Sequence, residues 1–283
     1  MDLVAIQKLV ITEEKSRRFF LKFRWKNYRK ICLRCHGRNV VNVRRKRLLC
    51  LGCRYEFGHF TGTYLGSLRI GFRKWLLLIK VFELEASARK AAREVGISYP
   101  TALKGFHTIR RAILAQHKDS HLLKGEVEAD EAYFGGRRKG KRGRGAAGKV
   151  PVFGILERAG KVTVEVVPDV RAETLLELTV KKVRRGSIVY TDKFKGYDSL
   201  MFCGFRHLKV DHGKRFARGK VYINGLEGFW SYAKERLIKF HGVSKQNFPL
   251  YLKELEFRYN HRKDENIIQT IVNYLTTPVA DLL

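Results

Sequence analysis

Four of the five cysteines stand in two matched pairs, Cys32-Leu-Arg-Cys35 and Cys50-Leu-Gly-Cys53, with fourteen residues between the pairs. Two thiolate pairs at this spacing can close a tetrahedral site around structural zinc, each pair supplying two sulfurs. Gly37 follows the first pair and Gly52 lies inside the second, where knuckle turns need small residues. Reduced core cysteines or a redox Cys-x-x-Cys are the ordinary alternatives, and two matched pairs argue against both. Cys203 stands alone in an apolar stretch and reads as a buried thiol.

Three acidic residues form the second group. Asp130 lies in an alternating strand pattern, Asp192 ends the apolar run Ile188-Val-Tyr-Thr, and Glu227 lies in an amphipathic helix. On that helix Leu226, Phe229, Trp230, Ala233, Leu237 and Phe240 make one apolar stripe, with Glu227 and Lys234 on a shared line at its edge. Carboxylates gathered from distant parts of a chain repel one another unless a hard cation lies between them, and oxygen-only ligand sets suit magnesium or manganese. Two such ions a few ångströms apart support phosphodiester displacement. Any one of these acids alone is a surface charge. An acid inside an apolar strand of a strongly basic chain is less easily read that way.

The basicity is large: 58 Lys and Arg against 27 Asp and Glu in 283 residues, a formal net charge of +31. Hydrophobic residues at 45% exclude a disordered chain. The longest wholly apolar run, Trp75 to Ile79, falls far short of the roughly 18 residues of a membrane helix, and the opening segment lacks a signal-peptide pattern. A cytoplasmic protein whose partner is nucleic acid rather than acidic lipid or membrane is expected.

Three segments must position these groups. Residues 1–60 read as a zinc ribbon with an N-terminal extension: short strands around the cysteines, a basic edge at Arg44-Arg45-Lys46-Arg47, then alternating Tyr55, Phe57 and Phe60. Residues 61–120 have helical period, with Phe72, Leu76, Ile79 and Phe82 on one stripe. Ser87 can cap a helix, Gly96 suits a left-handed turn, and Ser98 with Pro100 opens the next helix. That is the helix-turn-helix plan. On its second helix Ala102, Phe106, Ile109 and Ile113 face inward and Thr101, Lys104, His107, Thr108 and Arg111 outward. Residues 121–283 alternate strand and helix patterns: a strand at 126–133, a hairpin of 150–156 with 161–167, a helix at 172–183, strands at 187–191 and 205–210, and a helix at 221–241. Together they describe an α/β domain with a mixed sheet and helices on its faces. Between the first two strands, residues 135–149 hold seven basic residues and six glycines.

The chain resembles the DDE insertion-sequence transposases that carry an N-terminal zinc ribbon, bacterial relatives of the Merlin elements. The resemblance runs from Cys32 through Arg262. It is most specific at Val127-Glu-Ala-Asp-Glu-Ala-Tyr-Phe-Gly-Gly136, Val189-Tyr-Thr-Asp192, Tyr222-Ile-Asn-Gly-Leu-Glu-Gly-Phe-Trp-Ser-Tyr-Ala-Lys234 and Tyr251 to Arg262. It implies a ribonuclease H-like catalytic domain in which two aspartates, here Asp130 and Asp192, and a third residue bind two magnesium or manganese ions. Glu227 with Lys234 matches the family's acid-then-lysine pattern, the lysine contacting DNA near the cut. Asn224 fits the variant with an amide in third place. The resemblance further implies binding of terminal inverted repeats, hydrolysis at each end, and attack of the freed 3′ hydroxyl on target DNA by a dimer or larger assembly, in the nucleoid of a prokaryote. Arg44, Arg45, Arg47, Lys104, Arg111, Arg137, Arg138, Lys141, Arg142, Arg144 and Lys234 would contact DNA. A zinc-ribbon DNA-binding regulator without catalysis, or a metal-dependent nuclease or resolvase on the same fold, are the rival readings.

Overall fold

The computed structural model describes residues 1–43, 47–116, 122–135, 149–158, 160–192, 203–210 and 223–279. Contacts divide the chain into two units, residues 1–116 with 264–283, and residues 117–263.

The first unit opens with α1 (Leu3–Leu9) and α2 (Glu13–Arg24), whose free N–H groups are met by the side chains of Asp2 and Thr12. A three-stranded antiparallel sheet follows, β1 (Val40–Val43), β2 (Arg47–Cys50) and β3 (Glu56–Gly58), in that spatial order. Three helices come next: α3 (Phe72–Glu83), α4 (Ala88–Val95) and α5 (Tyr99–Gln116). The expected boundary residues act as such. Ser87 accepts the Lys90 N–H, Gly96 takes φ 65°, and Ser98 accepts the Thr101 N–H. The helix α3 starts at Gly71, which has no side chain to cap it, and Glu13 of α2 accepts the Phe72 and Arg73 N–H groups instead. Leu76, Ile79 and Phe82 are buried on α3, and Ala102, Phe106, Ile109 and Ile113 on α5. Thr108, expected to face outward, is buried, because its hydroxyl can donate to the Lys104 carbonyl one turn back.

The second unit is built on β4 (Glu126–Phe134), β5 (Val150–Glu157), β6 (Val162–Val166), β7 (Ile188–Thr191) and β8 (Arg206–Lys209). Between β6 and β7 runs α6 (Ala172–Lys182), and after β8 come α7 (Asn224–Ile238) and α8 (Phe248–Asn260). The sheet order is β6-β5-β4-β7-β8, antiparallel from β6 to β4 and parallel from β4 to β8. This is the mixed sheet expected from the sequence. Alternation along β4 sends Ala132 and Phe134 to a cluster with Leu226, Phe229 and Trp230 of α7 and Leu252 of α8. Val127 and Ala129 go to the opposite cluster, with Leu175 of α6. Helices therefore cover both faces. The edge strand β6 is covered as well: Asn260 accepts the Val162 N–H and donates to its carbonyl, and Glu256 accepts the Val164 N–H. Edge groups that could template another strand are thereby consumed.

The last helix, α9 (Ile267–Thr276), packs on α2, α3 and α5 of the first unit, although the sequence groups residues 264–283 with the α/β half. Among the described residues no helix is long and apolar enough to cross a membrane.

Candidate functional site

The register of β4 with β7 pairs Glu126 with Ile188, Val127 with Val189 and Glu128 with Tyr190. Two residues further along the same parallel register, Asp192 comes abreast of Asp130. Neighbouring strands lie about 4.8 Å apart, so two positions 62 apart in sequence are brought together, and the Asp192 charge acts on Asp130. Asp192 follows directly on the last residue of β7.

The helix α7 brings the third acid. Asp130, Glu227 and Lys234 line one open cleft of about 640 Å³, together with Tyr133, Lys149 and Trp230. Glu227 and Lys234 are both exposed to it, seven residues apart on one side of the helix, as the stripe predicts. Asn224, the rival for third place, is exposed at the first residue of α7 and does not line this cleft. The helix is shorter than expected: it ends at Ile238 rather than His241, where His241 and Gly242 take positive φ.

Two features at Asp130 escape a reading of the sequence alone. The Trp230 indole N–H donates to Asp130 Oδ2 at 3.0 Å, so a residue assigned only to the apolar stripe also orients a carboxylate. A buried tryptophan N–H needs an acceptor, and that need was the available signal. Across β5, Asp130 is paired with Gly154. A Cβ on Gly154 would come within 2.6 Å of the Trp230 ring, so the glycine leaves the space in which the indole lies. Burial first, and then the charges of Glu131 and Asp192, raise the Asp130 carboxyl to about 7 against the opposing hydrogen bond from the Trp230 N–H. Glu131 pairs with Phe153, whose side chain belongs to the opposite face, so its influence on Asp130 is that of a nearby charge.

In the first unit, Cys32 Sγ lies 3.5 Å from Cys53 Sγ and Cys35 Sγ 3.6 Å from Cys50 Sγ, and all four sulfurs fall within 4.8 Å of one another. A tetrahedron of sulfurs around zinc has edges of about 3.8 Å. The four thiols thus fit one metal ion, with contacts that cross from one pair to the other. Among the described residues this is the one group of three or more such side chains drawn so close; Asp130, Asp192 and Glu227 are not. Trp25, Leu48 and Phe57 pack around the cysteines. Cys203, expected to be buried, is half-buried beside the α6 cluster.

Of the basic residues expected on DNA, Arg47 is exposed and paired with Glu56, and Lys104 and Arg111 are exposed on α5. Arg44, Arg45, Arg137, Arg138, Lys141, Arg142 and Arg144 lie outside the described residues.

Comparison with known proteins adds to this geometry. A family model described as ISXO2-like transposase domain matches residues 122–260. An uncharacterized protein in transposable element ISH50 of Halobacterium salinarum is 30% identical over 275 residues, covering 89% of this chain and 92% of that protein. An uncharacterized transposase-like protein of Haemophilus influenzae is 44% identical over 111 residues, 39% of this chain and 90% of its own length. Among solved structures, the crystal structure of the Mos1 strand transfer complex aligns with TM-score 0.33 at 12% identity, over 72% of this chain and 74% of that one, a likeness too loose to argue from.

Proposed function

Because the chain belongs to the ISXO2-like family of insertion-sequence transposases, we propose that it cuts and rejoins DNA in the cleft between β4 and α7. The observation that carries this reading is the convergence of Asp130, Glu227 and Lys234 on one opening, with Asp192 abreast of Asp130.

Asp130 and Asp192 take the first two ligand positions and Glu227 the third, with Asn224 its competitor at the start of α7. An oxygen-only donor set of this kind fits magnesium or manganese. Such ions, when bound, would lower the pKa of an attacking water or hydroxyl and stabilise the leaving oxygen. The chain's own contribution is to gather and hold the carboxylates. Trp230 fixes Asp130 Oδ2 through its indole N–H. Lys234 presents an ammonium on the same side, suited to a phosphate of the cleaved strand as a point charge. Arg47, Lys104 and Arg111 supply backbone contacts, and α5 is the helix that would enter a major groove. The cysteines hold structural zinc. Two element ends have to be joined in one event, which calls for a dimer or larger assembly on DNA.

The test is metal-dependent end cleavage and strand transfer on DNA carrying the element's own ends. Asp130→Ala and Asp192→Ala are expected to abolish both, and full activity in either removes the mechanism. Loss in Asn224→Ala with retention in Glu227→Ala reassigns the third position. Sequence-specific binding by the wild-type protein without metal-dependent nicking supports the regulator, and cleavage without strand transfer supports the nuclease.

A further inference from the structure

We infer that Glu128 is a positioning residue: it caps α7 from across the sheet and thereby sets the gap between Asp130 and the acidic turn of that helix. The inference rests on the active-site reading above for its functional consequence, but not for the cap itself.

A helix leaves its first N–H groups without partners, and a Ser, Thr, Asp or Asn at the N-cap ordinarily meets one of them. The N-cap of α7 is Ile223, which makes no such bond. Glu128 Oε2 instead accepts the Leu226 N–H at 2.9 Å, from a strand 98 residues away. Leu226 is the third residue of the helix, the position whose N–H a local cap would take. Gly225 makes the approach possible, since a Cβ there would stand 3.0 Å from Glu128 Oε2 and 3.0 Å from Leu156. Glu13 caps α3 in the same way, again beside a glycine, so the chain uses this device in both units.

The other oxygen of Glu128 is also engaged. Arg158 Nε donates to Oε1 at 3.2 Å, and the Arg158 guanidinium lies 3.6 Å over the Tyr190 ring while its Nη1 reaches Glu126 at 2.8 Å. Tyr190 donates to the same Glu126 oxygen at 3.0 Å. Glu128 is 1% exposed and has neither oxygen turned to the cleft, so it is no ligand itself. Its contacts do touch each element that carries a candidate ligand. It sits on β4 two residues before Asp130, on the same face. Through Arg158 it meets Tyr190, two residues before Asp192. Through Leu226 it holds the turn that bears Asn224 and Glu227. Removing such supporting partners of metal ligands typically weakens metal binding 10- to 100-fold.

The experiment is calorimetric titration of Mn²⁺ into protein whose cysteine site is loaded with zinc, comparing wild type, Glu128→Gln and Glu128→Asp. Each is made in the native background and in one carrying Asn224→Ala with Glu227→Ala. The aspartate keeps its charge against Arg158 and shortens the reach to Leu226, so it tests the cap even if the glutamine variant does not fold. Both variants are expected to weaken Mn²⁺ binding about 10-fold in the native background and less than about 2-fold once both α7 candidates are gone. Equal losses in the two backgrounds, or none in either, overturn the positioning role. Leu226 amide exchange should quicken in both variants, and unchanged exchange overturns the cap. Unaltered Mn²⁺ binding by Asp130→Ala and Asp192→Ala would instead remove the active-site reading, leaving the cap to be decided by amide exchange alone.

Discussion

Asparagine in place of Asp130 should stabilise the folded protein above neutral pH and change nothing in strong acid. The Asp130 carboxyl has an ordinary value of 3.8 and stands at about 7 in the folded state, because burial and the neighbouring acids disfavour its charge. With the folded value raised, the stability this group contributes is complete below about pH 4. It drains away as pH climbs, until the carboxylate is ionised in both states. A shift of that size amounts to about 4 kcal/mol for a sealed site. Asp130 opens onto a cleft, so solvent screening reduces the effect to about 1–2 kcal/mol. Asparagine keeps an oxygen for the Trp230 N–H and removes the charge. At about 2–4 °C per kcal/mol, the variant should melt about 2–8 °C above wild type at pH 8.5. The two should converge at pH 4. The assay is thermal unfolding of both proteins across that range, in buffer without magnesium or manganese. Taking the difference at each pH cancels anything the cysteine site contributes. An asparagine variant that is no more stable than wild type at pH 8.5, or equally stabilised at both ends, would refute the account of Asp130. The same variant should bind no Mn²⁺ in the cleft.

Three further outcomes follow from the geometry. Gly154→Ala places a methyl against the Trp230 ring and should cost about 1–3 kcal/mol in chemical denaturation, with a changed tryptophan emission. Cys50→Ser should abolish stoichiometric zinc in elemental analysis and remove the signals of β1 to β3 from an amide spectrum, since Cys50 belongs both to β2 and to the four-sulfur cluster. Binding to DNA should weaken steeply with salt, with a slope of about −0.9 for each phosphate contacted, and Lys104→Ala or Arg111→Ala should each flatten it by about one contact.

The parts of the molecule that follow a local rule were legible from the residues. Ser87, Gly96 and Ser98 bound their helices because capping and left-handed turns are decided within a few residues. The strands of the second unit were legible because alternation is a period-two signal, and it set Asp130 in the first of them. What stayed hidden depends on a partner far along the chain. Trp230 scored only as an apolar residue because its acceptor lies 100 positions away. The role of Glu128 was hidden because its cap is made on a distant helix whose own N-cap is isoleucine. The approach of Asp192 to Asp130 needs the β4 to β7 register, which no local pattern encodes. Thr108 was misread outward because a hydroxyl that can bond within its own helix looks polar in sequence and behaves as apolar in packing.

The helix α9 carries a consequence for how this chain is made. The first unit is completed by residues at both ends of the chain, and the second lies wholly between them. During synthesis every strand and helix of the second unit leaves the ribosome before Ile267–Thr276 exist, so the inner unit can close first. The buried faces of α2, α3 and α5 must wait with one side open until α9 arrives to cover them. A transcript cut short after the inner unit would yield a closed α/β unit attached to an unfinished helical one. Loss of residues 264–283 would therefore disable first the unit to which residues 1–116 belong, and leave the inner unit closed.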